Sequence, residues 1–154
     1  MKQTRVPKVL VISGASKGIG HATAALFLEK SYRVINVSRS PSALNGIINV
    51  SADLSDANGV PQTSDRLLAE TAAAEVIVLI HNAAMMVKDN NETVKPEIMQ
   101  RVFQLNVIAA MQLNQLLLPR MKPVLRFYMW LRHSRKKPCR APAPMSRPNT
   151  RNSV

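Results

Sequence analysis

The sequence predicts an α/β fold built on a doubly wound parallel sheet. Three observations carry that expectation. Short apolar runs alternate with stretches of helical spacing along most of the chain. Two of those runs, VLVI at 9–12 and VIVLI at 76–80, are continuously apolar and rich in β-branched residues, the pattern of strands covered on both faces. A glycine-rich turn, SGASKGIG at 13–20, joins the first strand to the first helix.

The elements follow in order. Residues 9–12 form the first strand. Residues 19–30 read as a helix, with Ile19, Ala22 and Leu26 at helical spacing and Ala25 and Leu28 nearby. Strands at 34–37 and 47–50 flank a polar turn containing Pro41. Residues 60–74 read as a helix whose Val60, Leu67, Leu68 and Ala72 face inward. The run at 76–80 is the clearest strand, expected to be buried on both faces, and 81–94 is loop. Pro96 suits the first turn of a helix, where its missing N–H does no harm. That helix runs to about residue 118, broken near Asn106, and Pro119 ends it.

A chain of 154 residues with 46% hydrophobic residues can bury one core. Its net charge of +12 first points to a nucleic acid or an anionic membrane. The distribution argues otherwise. From Lys122 onward stand nine basic residues and no acid, while residues 1–121 hold twelve bases and nine acids. The charge belongs to a tail, typified by RKKPCRAPAP at 135–144. The expected organisation is one folded domain at 1–123 and a basic, proline-rich, disordered tail at 124–154. No specific nucleic acid and no membrane partner is expected. No apolar stretch approaches the ~20 residues needed to cross a bilayer, and the apolar run after the first basic residues is too short for a signal peptide. Cys139 is the one cysteine, so a reduced, cytoplasmic setting is the default. His21, His81 and His133 show no metal-ligand spacing, and Met85 and Met86 read as loop packing.

The turn at 13–20 carries the chemistry. Gly14 permits a tight turn, and Gly18 and Gly20 let the backbone approach a ligand and the helix pack on the strand. Ser16, Lys17 and Ile19 lie between these glycines. The following helix start presents unpaired N–H groups and a positive dipole end to a phosphate.

The spacing Gly-x-x-x-Gly-x-Gly, after Ser13, resembles the cofactor loop of the short-chain dehydrogenase/reductase family. Further matches follow in family order. Asp53-Leu54 resembles the adenine-contacting segment, His81-Asn82-Ala83-Ala84 resembles Asn-Asn-Ala-Gly, and Asn106 in QLNVIAA matches the helix asparagine of the catalytic tetrad. The resemblance covers residues 6–123 and implies a Rossmann-like domain, a nicotinamide dinucleotide, a small carbonyl or alcohol substrate, and homo-oligomers in the intact form. In members that prefer NAD(H), an acid ends the second strand. Here Ser38 and Arg39 stand there, and Arg39 with Lys17 can meet a 2′-phosphate, so NADP(H) is favoured over NAD(H).

The resemblance also implies a catalytic Tyr-x-x-x-Lys and a serine thirteen residues before the tyrosine. This chain has two tyrosines; Asn36 follows Tyr32 at the fourth place and Arg132 follows Tyr128. Arginine does not replace lysine there, because its geometry and pKa differ. A shift of one base near the codon for Pro123 permits the pattern to be spelled. The Leu131/Arg132 junction can then spell serine, Pro144/Met145 tyrosine and Pro148/Asn149 lysine, at the family spacing. Residues 124–154 are therefore expected to be out-of-frame translation, and the chain an inactive oxidoreductase by ancestry. The competing reading is a dinucleotide- or partner-binding half-domain with a basic tail for nucleic acid or anionic membrane.

Overall fold

The computed structural model describes residues 7–88 and 92–121, together with the backbone of Tyr128–Met129. Five strands form one parallel sheet in the order β3-β2-β1-β4-β5. They are β1 (Lys8–Ser13), β2 (Arg33–Ser38), β3 (Ile47–Ser51), β4 (Val76–His81) and the two-residue β5 (Tyr128–Met129). Pairing is in register, with Val11 opposite Ile35 on one side and Leu79 on the other. The helices are α1 (Gly18–Glu29), α2 (Ser64–Thr71), α3 (Pro96–Phe103) and α4 (Ala109–Leu117).

The alternation of side chains along a strand splits the core into two layers. Leu10 and Ile12 of β1 and Val34 of β2 point to one face and pack with Ala24 of α1, backed by Phe27 and Leu28. Val9, Val11, Ile35, Val37 and Leu79 point to the other, against Leu67 of α2 and Leu113 and Leu117 of α4. The doubly wound parallel sheet is therefore present. Its first strand is central, and the chain leaves β1 toward β2 but returns from β3 to β4 on the opposite side. The crevice at the strand C-termini between β1 and β4 is where such sheets bind ligands.

Several expectations need correction. In α1 the core-facing residues are Gly20 and Ala24, while Ile19 and Leu26 are about half exposed. The close approach of the glycine turn to the sheet sets that rotation. The 60–74 segment is a 3₁₀ turn at Pro61–Thr63 followed by the shorter α2. Its Val60 and Leu67 are buried and Leu68 is half-buried, but Ala72 is exposed because the helix has ended before it. β4 is fully buried on one face only: Ile77 and Leu79 are sealed, whereas Val78 and Ile80 are half-buried on the side that α1 covers. Met86 is exposed rather than packed.

Pro96 does open a helix, preceded by Lys95 in the extended conformation that a following proline favours. The break near Asn106 is a π-helical turn, Gln104–Ile108, between α3 and α4. Pro119 lies within a closing 3₁₀ turn, Leu118–Arg120. The tail expectation falls outside the described residues except at Tyr128–Met129, where the backbone pairs with Ile80 and His81 of β4. The unpaired edge of β4 offers donors and acceptors that an extended segment satisfies.

Candidate functional site

The residues at the strand C-termini line one cleft of about 750 Å³. Its floor is the turn after β1. Gly20 sits buried beneath it, where a Cβ would stand 2.3 Å from the Gly14 carbonyl oxygen and 2.4 Å from Asn82 Nδ2. No side chain fits there without moving backbone. Gly18 is the opposite case: its φ is +63° and a Cβ would meet nothing within 4 Å. That open side faces the space in front of the helix. Lys17, the residue before α1, is extended and its side chain makes no capping hydrogen bond. The first turn of α1 also contains no acid. Its N–H groups and positive dipole end are thus available to an anion.

The turn is held from both sides. Ser13 Oγ accepts the backbone N–H groups of Asn82 and Ala83, each at 3.0 Å. Asn82 Nδ2 donates to the Ser13 and Gly14 carbonyl oxygens at 3.2 and 2.8 Å. These bonds explain the hydroxyl at position 13 and the amide at position 82: they knit the ends of β1 and β4 side by side. On the other flank, buried Asn36 accepts the Ala15 N–H at 2.8 Å and donates to Ser38 Oγ and Asn49 Oδ1, both at 3.0 Å. Asn49 in turn accepts the Ser42 N–H at 2.8 Å. Ser16 Oγ bonds to Ser38 Oγ and to the Ser40 carbonyl. The sequence reading missed this network. Its signal was a polar residue in the middle of each of two otherwise apolar strands, VINVS and INVS.

Asp53 also lines the cleft, within the electrostatic influence of Arg39 and Arg101. Its Oδ1 accepts the Ser55 N–H at 2.9 Å and the Ser55 hydroxyl at 2.7 Å. The Ser55 hydroxyl, above all, holds the Asp53 carboxyl below the usual carboxylate range; partial burial opposes this, and the Ser55 N–H, Arg39 and Arg101 reinforce it. Arg101 of α3 lies 3.9 Å from Asp53 Oδ2. Neither Ser55 nor Arg101 was singled out in the sequence, because the contact joins residues 46 positions apart.

Of the candidates, Gly14, Ser16, Lys17, Gly18, Ile19, Arg39, Asp53, Leu54, Asn82, Ala83 and Ala84 all line this cleft. Ala84 is exposed, so its methyl meets no crowding. Gly20 is behind the wall. Asn106 lies in the π turn, and its side chain pairs reciprocally with the Met85 backbone. It accepts the Met85 N–H at 2.9 Å and donates to the Met85 carbonyl at 2.8 Å. The structure thus ties Asn106 to the cleft through a lining residue. His81, one residue before Asn82, is buried beneath the cleft with Nε2 2.9 Å from Asn114 Oδ1. Burial lowers its pKa, partly offset by that hydrogen bond.

Residues 8–126 match the family model described as short chain dehydrogenase. The chain belongs to the short-chain dehydrogenase family. The match reaches slightly past the 123 expected from the sequence. The protein FixR of Bradyrhizobium diazoefficiens is 32% identical over 122 residues, covering 71% of this chain and 44% of its own. The ketoacyl reductase HetN of Nostoc sp. is 32% identical over 127 residues, covering 77% and 44%. The chain therefore spans less than half the length of these curated relatives. Among solved structures, a short-chain dehydrogenase/reductase family oxidoreductase from Brucella ovis, in complex with a partially ordered NAD, superposes with a TM-score of 0.64 at 29% identity. That match covers 73% of this chain and 57% of the other. The short-chain dehydrogenase fold is thus shared by this chain through the sheet and its flanking helices. Among the described residues no helix is long and apolar enough to cross a membrane.

Proposed function

We propose that this chain is the nucleotide-holding part of an NAD(P)(H)-dependent oxidoreductase that interconverts a carbonyl and an alcohol. The carrying observation is the cradle at the start of α1. An uncapped helix N-terminus opens on a cleft beside Gly18, whose missing side chain leaves room for a diphosphate. The residues fit the cofactor. The α1 N–H groups would hold the diphosphate, Asp53 and Leu54 the base, and Asn82 to Ala84 the nicotinamide ribose. The bound dinucleotide supplies the hydride, and the chain's own residues orient it.

The finer reading favours NADP(H). Ser38 ends β2 without an acid, and Arg39 and Lys17 both line the cleft mouth. Equilibrium binding tests this. NADPH is expected to bind more tightly than NADH, by about tenfold for one charge-assisted contact, and Arg39→Ala is expected to erase the difference. Equal affinities in the unaltered chain would overturn the preference.

No tyrosine of this chain is followed by lysine at the fourth place, the pair that passes the accompanying proton in the pattern the family resemblance implies. Binding without measurable carbonyl reduction is the expected outcome. The proposed cause is a one-base shift near the codon for Pro123. Sequencing the DNA checks it: a stop in the shifted frame before the Tyr-x-x-x-Lys codons would dispose of the idea. The setting is proposed to be cytoplasmic. Self-association is also proposed, supported by Phe103, Val107 and Met111, which stand on one exposed stripe at four-residue spacing.

A further inference from the structure

Three groups outside the glycine turn form a directed chain at the base end of the cleft. Arg101 Nη2 donates to Ser55 Oγ at 3.0 Å. Ser55 Oγ donates to Asp53 Oδ1 at 2.7 Å. The direction is forced. A guanidinium only donates, an ionised carboxylate only accepts, and a hydroxyl has one proton. With Arg101 feeding its lone pair, the Ser55 proton must point to Asp53.

This arrangement has two consequences. Oδ1 is fully engaged by the Ser55 hydroxyl and N–H, so the carboxylate is locked in one rotamer. Oδ2 takes no comparable bond, since Arg101 stays 3.9 Å away, and Asp53 lines the cleft. An ionised oxygen held there accepts hydrogen bonds and cannot donate them. It fits an exocyclic amine and repels a keto oxygen in the same place.

We infer that Arg101, acting through the Ser55 hydroxyl, is a positioning residue that sets Asp53 to read the amino group of a purine base. The inference rests on the proposed nucleotide site. Asp53 is the group that touches the base; Arg101 and Ser55 act through it. Arg101 is largely exposed, with 56% of its side chain accessible, so its replacement leaves the core intact.

The test uses the full chain and three probes: adenosine diphosphate, inosine diphosphate and inorganic pyrophosphate. The first two differ at the amino group and share the ribose and diphosphate. The unaltered chain is expected to prefer the adenine nucleotide by about tenfold, the worth of one hydrogen bond to a charged group. Arg101→Met and Ser55→Ala are each expected to bring that ratio down to about threefold or less, with pyrophosphate affinity unchanged. Because both act along one path, the double variant is expected to discriminate no worse than either single variant. Losses that add in the double variant overturn the relay. So does a ratio that survives either single substitution, or affinity for all three probes falling together. If the unaltered chain binds neither pyrophosphate nor adenosine diphosphate, the nucleotide site itself is wrong and this inference falls with it.

Discussion

Gly20 and His81 show how differently single residues constrain this site. At Gly20 the constraint is space: the Gly14 carbonyl and the Asn82 amide occupy the volume a methyl needs. Gly20→Ala is expected to cost about 1–3 kcal/mol, as overpacking against backbone does, and to displace Asn82. Urea unfolding with nucleotide titration would measure both effects. At His81 the constraint is charge. Its folded-state pKa is depressed by burial, so the unfolded chain binds the proton more readily. The contribution is fully present above the ordinary imidazole value and is lost as pH falls below it, until the folded-state pKa is passed. Between about pH 8 and pH 5, the urea midpoint of the unaltered chain should fall further than that of His81→Asn. Equal declines would show that His81 titrates alike in both states. The importance of Gly20 was legible in the glycine spacing. That of His81 was not, because nothing in HNAA shows that its ring turns inward to Asn114.

At the scale of elements, β4 and the α3–α4 segment are the informative cases. A run such as VIVLI predicts a strand but not how much of each face is covered. Leu79 is sealed against the α2–α4 layer, while Ile80, its neighbour, is half-buried beside α1. Leu79→Ala should therefore cost about 2–5 kcal/mol. Ile80→Ala should cost about half as much or less, because its exposed part loses little on truncation. Similar costs in urea unfolding would contradict the one-sided burial. The helix break at Asn106 was foreseen from a polar residue in an apolar pattern. Its form was not. A π turn appears there, a feature that recurs at functional sites, and Asn106 spends its amide on the Met85 backbone. Asn106→Ala is expected to speed hydrogen exchange at the Met85 amide, with a stability loss of no more than about 1 kcal/mol since water can replace an exposed partner. An unchanged Met85 exchange rate would mean that the latch is not formed in solution.

For the molecule as a whole, the two layers are unequal. Among the described residues one face of the sheet is covered by α2 and α4 and the other by α1, and α1 turns Ile19 and Leu26 toward solvent. The alternation of elements, the parallel sheet, the strand that ends in the glycine turn and the helix opened by Pro96 all follow from local chemistry: β-branched runs, glycine where backbone crowds, and proline where no N–H is needed. Those are properties of neighbours in sequence, so the sequence alone sufficed for them. The rotation of α1, the one-sided burial of β4, the Asn36–Asn49 network and the Arg101–Ser55–Asp53 chain depend on which distant residues meet. Asn36 and Asn49 are opposite partners on adjacent strands, and Arg101 reaches Ser55, in the turn after β3, from α3. A strand's period says which residues share a face. It does not say what will cover that face, and only packing supplies the cover.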